Sequence, residues 1–285
     1  MPLPIYDGQA KGPNIYGSLM AERLSKAKLS VFRRLSRKKH RIAEGRFLIE
    51  GWHLLAESLA SKARLLALIY DPSRSLPEGD ERTLQLALDK AEAIFLASDD
   101  QLRALGETVT NSGVVGVLAS LEENWEELST KLAQIERGCV VALDDVSDPG
   151  NCGTIIRSGD WFGAAAILLG EGCPSKENGK ALRASMGGVF HLPIVECPSL
   201  EDRLVELRES GFKLVAASLD TDAENLGDFD WPDKSLLVVG NEARGVRASI
   251  LERADLRLTI PKFGKGESLN AAMAASVLLA NWRIR

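Results

Sequence analysis

The chain is poor in the features that mark membrane, secreted and metal-binding proteins. Across its 285 residues no apolar run approaches the ~18 residues of a membrane span. The opening, MPLPIYDGQAKGPNIYGS, has no apolar stretch and does not read as a secretory signal. The four cysteines, Cys139, Cys152, Cys173 and Cys197, form no CxxC pair, so neither a zinc site nor a disulfide framework is indicated. The glycine fingerprint GxGxxG is also missing. GNEARG (240–245) is not followed by an acid at the ribose-binding distance, which counts against a dinucleotide fold. No internal repeat or low-complexity tract is evident. Apolar residues at 45% and charged residues at 26% leave a soluble globular protein, long enough for two domains. The expectation is a reduced, cytoplasmic chain with no membrane segment and no metal.

Net charge is −5, yet its distribution is uneven. Between Arg23 and Arg46 ten Lys or Arg face one acid, Glu44, so this window carries +9 and the remainder −14. Local basic density attracts a phosphate backbone, because each neutralised phosphate releases condensed counterions. A solvated helix face or a frayed tail would give the same run.

Residues 1–20 lack periodicity and are expected to be a flexible lead-in. From 21 to 121 helical patterns (47–60, 82–91, 99–107) alternate with apolar runs expected as strands (64–71, 93–98, 113–120), giving a compact α/β domain. Asp99 is a possible N-cap in this segment. NWEELSTKLAQIERG (124–138) is helical and polar, and 122–138 is expected to connect the domains. In 139–285 strands are expected at 139–146, 164–170, 212–218, 235–240 and 255–260. Uniformly apolar strands separated by helices indicate a parallel sheet covered on both faces.

Three segments follow strand ends, where open parallel sheets bind ligands. In DPGNCGTIIRSGDWFG (148–163), Pro149 and Gly150 read as a turn before Asn151, with Arg157 in a helix beginning at Gly153 or Thr154. VVGNEARGV (238–246) sets Glu242 between Gly240 and Gly245, and a glycine at a strand end permits close backbone approach to a planar ligand. In IPKFGKGESLNAAMAASVLLANW (260–282), Gly264 and Gly266 make a bend, and Ser268 is placed to cap a small-residue helix. Taken singly, each has a bland account: a turn, a surface cation, a tight strand-to-helix connection, a helix cap.

Taken in order, DPxNxGxxxR, RxSxGG (Arg183 to Gly188), GNExxG and IPxxGxxESLN resemble the SpoU/TrmH branch of the SPOUT RNA methyltransferases, over about 139–285. The preceding half, with GRFLIEGWHLLAESL, is similar to the ribosomal-protein-like substrate-binding domain found in many members. The resemblance implies an α/β chain whose C-terminal SPOUT domain carries a deep trefoil knot, and an obligate homodimer. It also implies S-adenosylmethionine-dependent methylation of a ribose 2′-hydroxyl in structured RNA. Ribosomal RNA is favoured over transfer RNA, because transfer-RNA members often carry short helical extensions instead. Carried over by position, Asn151, Arg157, Glu242, Ser268 and Asn270 form the polar active-site set. Gly240, Ile260 and Leu269 match cofactor-holding positions. Lys262 stands where most relatives have Met, and SLNAAMAAS where SLNVSVAAA is commoner.

His40, His53 and His191 lie outside the motifs, so a histidine base is not expected. A guanidinium is always protonated, so Arg157 is expected to grip the adjacent phosphate and stabilise developing alkoxide charge. Asn151, Ser268 and Asn270 would orient the ribose, and Glu242 would fix Arg157 or Asn151. Arg34, Arg37, Lys38, Lys39 and Arg41 are expected to position RNA, with Arg183 nearer the site. The rivals are a transfer-RNA methyltransferase, a non-catalytic RNA-binding protein of the same fold, and an unrelated α/β enzyme with a nucleotide cofactor.

Overall fold

The computed structural model describes residues 15–16, 19–106, 112–220 and 222–285, with side chains from residue 21 onward. The lead-in expected over 1–20 lies outside these residues apart from two short strands, β1 (Ile15–Tyr16) and β2 (Leu19–Met20). The chain divides into two compact units, Met1–Leu121 and Glu122–Arg285.

The first unit contains β3 (Glu22–Arg23), α1 (Lys26–Arg34), α2 (Lys38–Glu44), β4 (Arg46–Glu50), α3 (Trp52–Ala60) and β5 (Leu65–Tyr70). It continues with α4 (Glu81–Lys90), β6 (Ile94–Leu96), α5 (Asp99–Leu105) and β7 (Val114–Ala119). Its sheet has the order β3-β6-β5-β7-β4, with β7 antiparallel to both neighbours. Phe32, Leu35, Ile69, Phe95, Leu102, Val115 and Val117 form part of its core.

Two expectations are corrected here. The helix expected over 47–60 is a strand followed by a helix. Phe47 and Ile49 alternate into the core while β4 pairs with β7, and Gly51, at φ 100°, separates the two elements. A period of two over four residues was hidden inside a longer apolar run. The cap of α5 is Ser98, in a capping box with Gln101, and Asp99 is the first helical residue.

The second unit begins with α6 (Trp125–Gln134), which buries Leu128 and Leu132 in this unit's core. It continues with β8 (Gly138–Asp144), α7 (Pro149–Phe162), β9 (Ala166–Leu169), α8 (Gly179–Ser185), β10 (Ile194–Glu196) and α9 (Leu200–Glu209). The remainder is β11 (Lys213–Ala217), β12 (Glu224–Asn225), β13 (Lys234–Gly240), α10 (Ala248–Leu251), β14 (Leu256–Thr259) and α11 (Ala271–Ile284). The sheet order is β10-β9-β8-β13-β11-β14-β12, and every pairing is parallel.

All seven residues of β8 are buried. Val140 and Ala142 pack with α6 and α9 through Leu132, Leu204 and Leu207, so Val141 and Leu143 turn to the opposite face. The sheet is therefore covered on both sides, as its continuous apolar strands require.

Helix α7 packs on α8 at a glycine. A Cβ on Gly153 would collide with the Ala181 carbonyl oxygen and lie 2.7 Å from Ala184 Cβ. Helix α7 also meets α11, where the hydroxyls of Ser158 and Ser276 are 2.7 Å apart. Gly153→Val is expected to destabilise the protein by about 1–3 kcal/mol through overpacking, read as a lower urea midpoint. Gly264→Ala is the control: a Cβ there meets nothing within 4 Å, and the midpoint should stay put.

Candidate active site

The β8–α7 connection puts Asn151 in place. Asp148 caps α7, its carboxylate accepting from the Asn151 backbone N–H at 2.9 Å, and Pro149 occupies the first turn, where its missing N–H costs nothing. The helix thus starts at Pro149 and not at Gly153 or Thr154 as expected, and DPGN is its cap and first turn. Asp148 is held in turn by Lys180 Nζ at 2.7 Å, from α8.

Three of the expected polar residues join in one chain. Asn270 Nδ2 donates to Asn151 Oδ1 at 2.9 Å, and Asn151 Nδ2 donates to Glu242 Oε1 at 2.7 Å. Asn270 Oδ1 also accepts from the backbone N–H groups of Ala272 and Met273, at 2.9 and 3.3 Å. Asn270, not Ser268, is therefore the cap of α11; Ser268 lies two residues too early, in an exposed coil. Arg157 stays outside the chain, exposed on α7, so Glu242 fixes Asn151 and not Arg157. A Cβ on Gly188 would lie 3.5 Å from Arg157 Cα, which seats the end of the RxSxGG segment beside that arginine.

The loop bearing Glu242 is folded tightly on itself. Asn241 and Gly245 exchange backbone hydrogen bonds of 3.0 and 2.9 Å, and Asn241 Oδ1 accepts from the N–H groups of Ala243 and Arg244. A Cβ on Gly240 would collide with Gly245 and Val246. The missing side chain of Gly240 therefore admits the chain's own returning backbone. Asp145, at φ 56°, accepts from Asn241 Nδ2 through its carbonyl at 2.8 Å and pairs with Arg244. Fully buried Asp144 accepts from Arg247 N and Nε at 2.7 and 2.6 Å.

None of Asp144, Asp145, Asp148, Lys180, Asn241, Arg244 or Arg247 was singled out in the sequence. Asp148 alone left a signal there, as an Asp immediately before a helix-starting Pro.

Gly240 ends β13, Ile260 follows β14, and both strands run parallel to β11, so the two positions lie at the same edge of the sheet. Ile260 is half-buried, and Leu269 is 53% exposed at the end of a coil whose residues 262–270 are all exposed. Ile260 and Leu269, the two positions in this segment that the resemblance assigns to the cofactor, thus stand at the two ends of that coil.

In the first unit Arg34, Arg37, Lys38 and Lys39 are exposed on α1, α2 and the turn between them. Arg41 is not available for RNA. It is 4% exposed and its Nη1 donates to the carbonyls of Leu35 and Ser36, at 3.2 and 3.0 Å, so its charge secures the α1–α2 turn. Arg183, on α8, is half-buried.

The ion pair with Lys180, joined by the Asn151 N–H bond, holds the Asp148 carboxyl below its ordinary value. A carboxyl lowered by folding adds stability above its unfolded pKa, about 3.9, and loses it as pH falls through the folded value. Lys180→Met is thus expected to be less stable than the parent at neutral pH, with the difference vanishing in acid once Asp148 is protonated in both. Denaturant melts from pH 7 down to pH 2 would refute this if the difference persisted unchanged.

Comparison with known proteins places this geometry. The SpoU rRNA Methylase family matches residues 138–280, and the MRM3-like substrate binding domain matches residues 26–116. A Bacillus subtilis 23S rRNA (guanosine(2553)-2′-O)-methyltransferase, RlmP, is 35% identical over 90% of this chain and 96% of its own. A Streptomyces viridochromogenes 23S rRNA (uridine(2479)-2′-O)-methyltransferase is 30% identical over 86% and 85%. The crystal structure of the SpoU methyltransferase AviRb from Streptomyces viridochromogenes, in complex with the cofactor AdoMet, superposes with a TM-score of 0.80. It is 28% identical and covers 91% of this chain and 98% of that one. With motifs, fold and near-coextensive relatives in agreement, the chain belongs to the SpoU rRNA methylase family.

Proposed function

We propose that this protein transfers a methyl group from S-adenosylmethionine to a ribose 2′-hydroxyl of 23S ribosomal RNA. The observation that carries this reading is the Asn270–Asn151–Glu242 chain, which joins the three segments that follow β8, β13 and β14 in a member of this family. Names of the relatives supply the substrate class: both are 23S rRNA 2′-O-methyltransferases. S-adenosylmethionine, held through Gly240, Ile260 and Leu269, would supply an already electrophilic methyl group.

The protein's own task is then alignment and charge management, which together account for much of a barrier reduction. Asn151 spends one Nδ2 hydrogen on Glu242 and accepts from Asn270, so its amide is fixed in one orientation with a second N–H to offer a ribose oxygen. Ser268 and Asn270 complete the ribose contacts. Arg157, permanently protonated and exposed, grips the neighbouring phosphate and stabilises developing alkoxide charge. The 2′-hydroxyl proton leaves to that phosphate or to water. Arg34, Arg37, Lys38 and Lys39 position the RNA through its phosphates, and Arg183, on the helix that packs against α7, adds a phosphate contact within the second unit.

Two further features belong to this proposal. The chain returns from β14, second from one edge of the sheet, to lay α11 on α7, the helix that follows β8, third from the other edge; this path supports a C-terminal trefoil knot. Trp161 on α7 and Met273 and Ile284 on α11 are 83%, 59% and 82% exposed, and large apolar side chains left in water on two helices that meet at Ser158 and Ser276 support a homodimer. The four free cysteines fit a reducing, cytoplasmic setting, and burial pushes the thiols of Cys139 and Cys173 up to about 12 and about 11.

The decisive test is transfer of labelled methyl from S-adenosylmethionine to unmodified 23S rRNA, with transfer RNA in parallel and mapping of alkali-resistant linkages. Label at one such linkage in 23S rRNA is expected. Label confined to transfer RNA would overturn the substrate, and no label in either would overturn the activity. Arg157→Ala should lower kcat at least a hundredfold, with the Kd for S-adenosylmethionine within twofold of the parent. Equal loss of both would reduce Arg157 to a structural role. Trp161→Glu is expected to give a monomer by light scattering, and an intact dimer would remove α7 from the interface.

A further inference from the structure

Phe263 is 95% exposed, the most exposed large apolar side chain among the described residues. Isolated surface leucines need no explanation, but an aromatic ring left almost wholly in water does. Its setting narrows the choice of occupant. Phe263 stands between Lys262 and Lys265 in a coil where every residue from Lys262 to Asn270 is exposed. A Cβ on Gly264 or Gly266 would meet nothing within 4 Å, so neither glycine serves close packing. What they give the segment is backbone freedom. The same coil ends at Asn270, whose amide donates to Asn151.

An exposed ring flanked by cations on an adaptable segment matches the way single-stranded nucleic acid is held: bases stack on aromatic faces while Lys and Arg follow the phosphates. A purely apolar partner would leave both lysines to be desolvated without a counter-charge. The flanking charge therefore favours an anionic strand that brings its own flat, apolar surfaces.

We infer that Phe263 is a stacking platform for a nucleobase of the RNA close to the methylated ribose, with Lys262 and Lys265 holding the phosphates on either side. The inference rests on the proposed methyl transfer to RNA and adds a specificity element to that site. Asn151 and Asn270 address the sugar; Phe263 would address the strand beside it, and would favour substrates whose bases are already unstacked.

The test uses the full chain and unmodified 23S rRNA transcript. Phe263→Ala is expected to raise KM for the transcript about five- to hundredfold, the loss typical of one stacked base, with kcat within twofold. Phe263→Trp should restore KM, since any aromatic face serves. Lys262→Gln combined with Lys265→Gln should flatten the dependence of log KM on log salt, each lost phosphate contact removing about 0.7 from the slope. The Kd of the transcript, measured by filter binding, should move with KM and tests the platform even without turnover. Unchanged RNA affinity in Phe263→Ala would overturn the inference. So would weakened S-adenosylmethionine binding by calorimetry, which would assign the ring to the cofactor, or a changed oligomeric state, which would assign it to an interface. Failure of the parent enzyme to methylate any RNA would instead fall on the proposed function.

Discussion

A side-chain amide at the start of one helix holds the site together. Asn151 accepts from Asn270 and donates to Glu242, so the segments after β8, β13 and β14, remote in sequence, share one hydrogen-bonded chain. An amide can play both parts because it carries an acceptor and donors on one rigid plane. A carboxylate in its place would have nothing to offer Glu242 except repulsion. The arrangement also explains why the cap of α7 matters: Asp148 fixes the backbone of Asn151, and Lys180 fixes Asp148. Any tilt of that first turn would move the amide away from two partners at once.

Behind the chain, charge is used as carpentry. Asp144 is wholly buried, and its carboxylate takes both a backbone and a side-chain N–H from Arg247; Asp145 holds Asn241 and Arg244. Removing Arg247 would strand the wholly buried Asp144 carboxylate, which is far costlier than the pair's net worth. These contacts pin the Glu242 loop to the sheet from the side opposite its tip. The left-handed conformation of Asp145, just after β8, is tolerable because Asp is among the few residues with a short polar side chain suited to it.

Much of the second unit could be read in the sequence because its strands are short, apolar and punctuated by Gly or Pro. All five runs marked there are strands, trimmed or extended by a residue or two, and the parallel sheet follows from them. What could not be read was set by partners distant in the chain. Phe47 to Glu50 is a strand because β7 lies beside it, and Asn270 caps α11 because its amide is also within reach of Asn151. The edge strands β10 and β12, of three and two residues, carry too short a pattern to stand out. At the site the types of residue were legible and their pairings were not: Glu242 had two plausible partners until the geometry chose Asn151. Arg41 shows the limit of counting charges, since a basic run looks the same whether each cation faces water or a carbonyl.

Buried Arg41 has one more consequence. By grasping the carbonyls of Leu35 and Ser36 it turns the bend between α1 and α2 into a fixed elbow. The cations on either side of that bend, Arg34, Arg37, Lys38 and Lys39, are therefore mounted on a stiff bracket. A stiff bracket presents charges at set spacings before any ligand arrives, so little conformational entropy is forfeited on contact. It also reads shape: a surface whose phosphates match those spacings gains the full attraction, and one that does not gains only part of it. One cation withdrawn from the surface thereby converts its neighbours from a diffuse cloud of charge into a gauge.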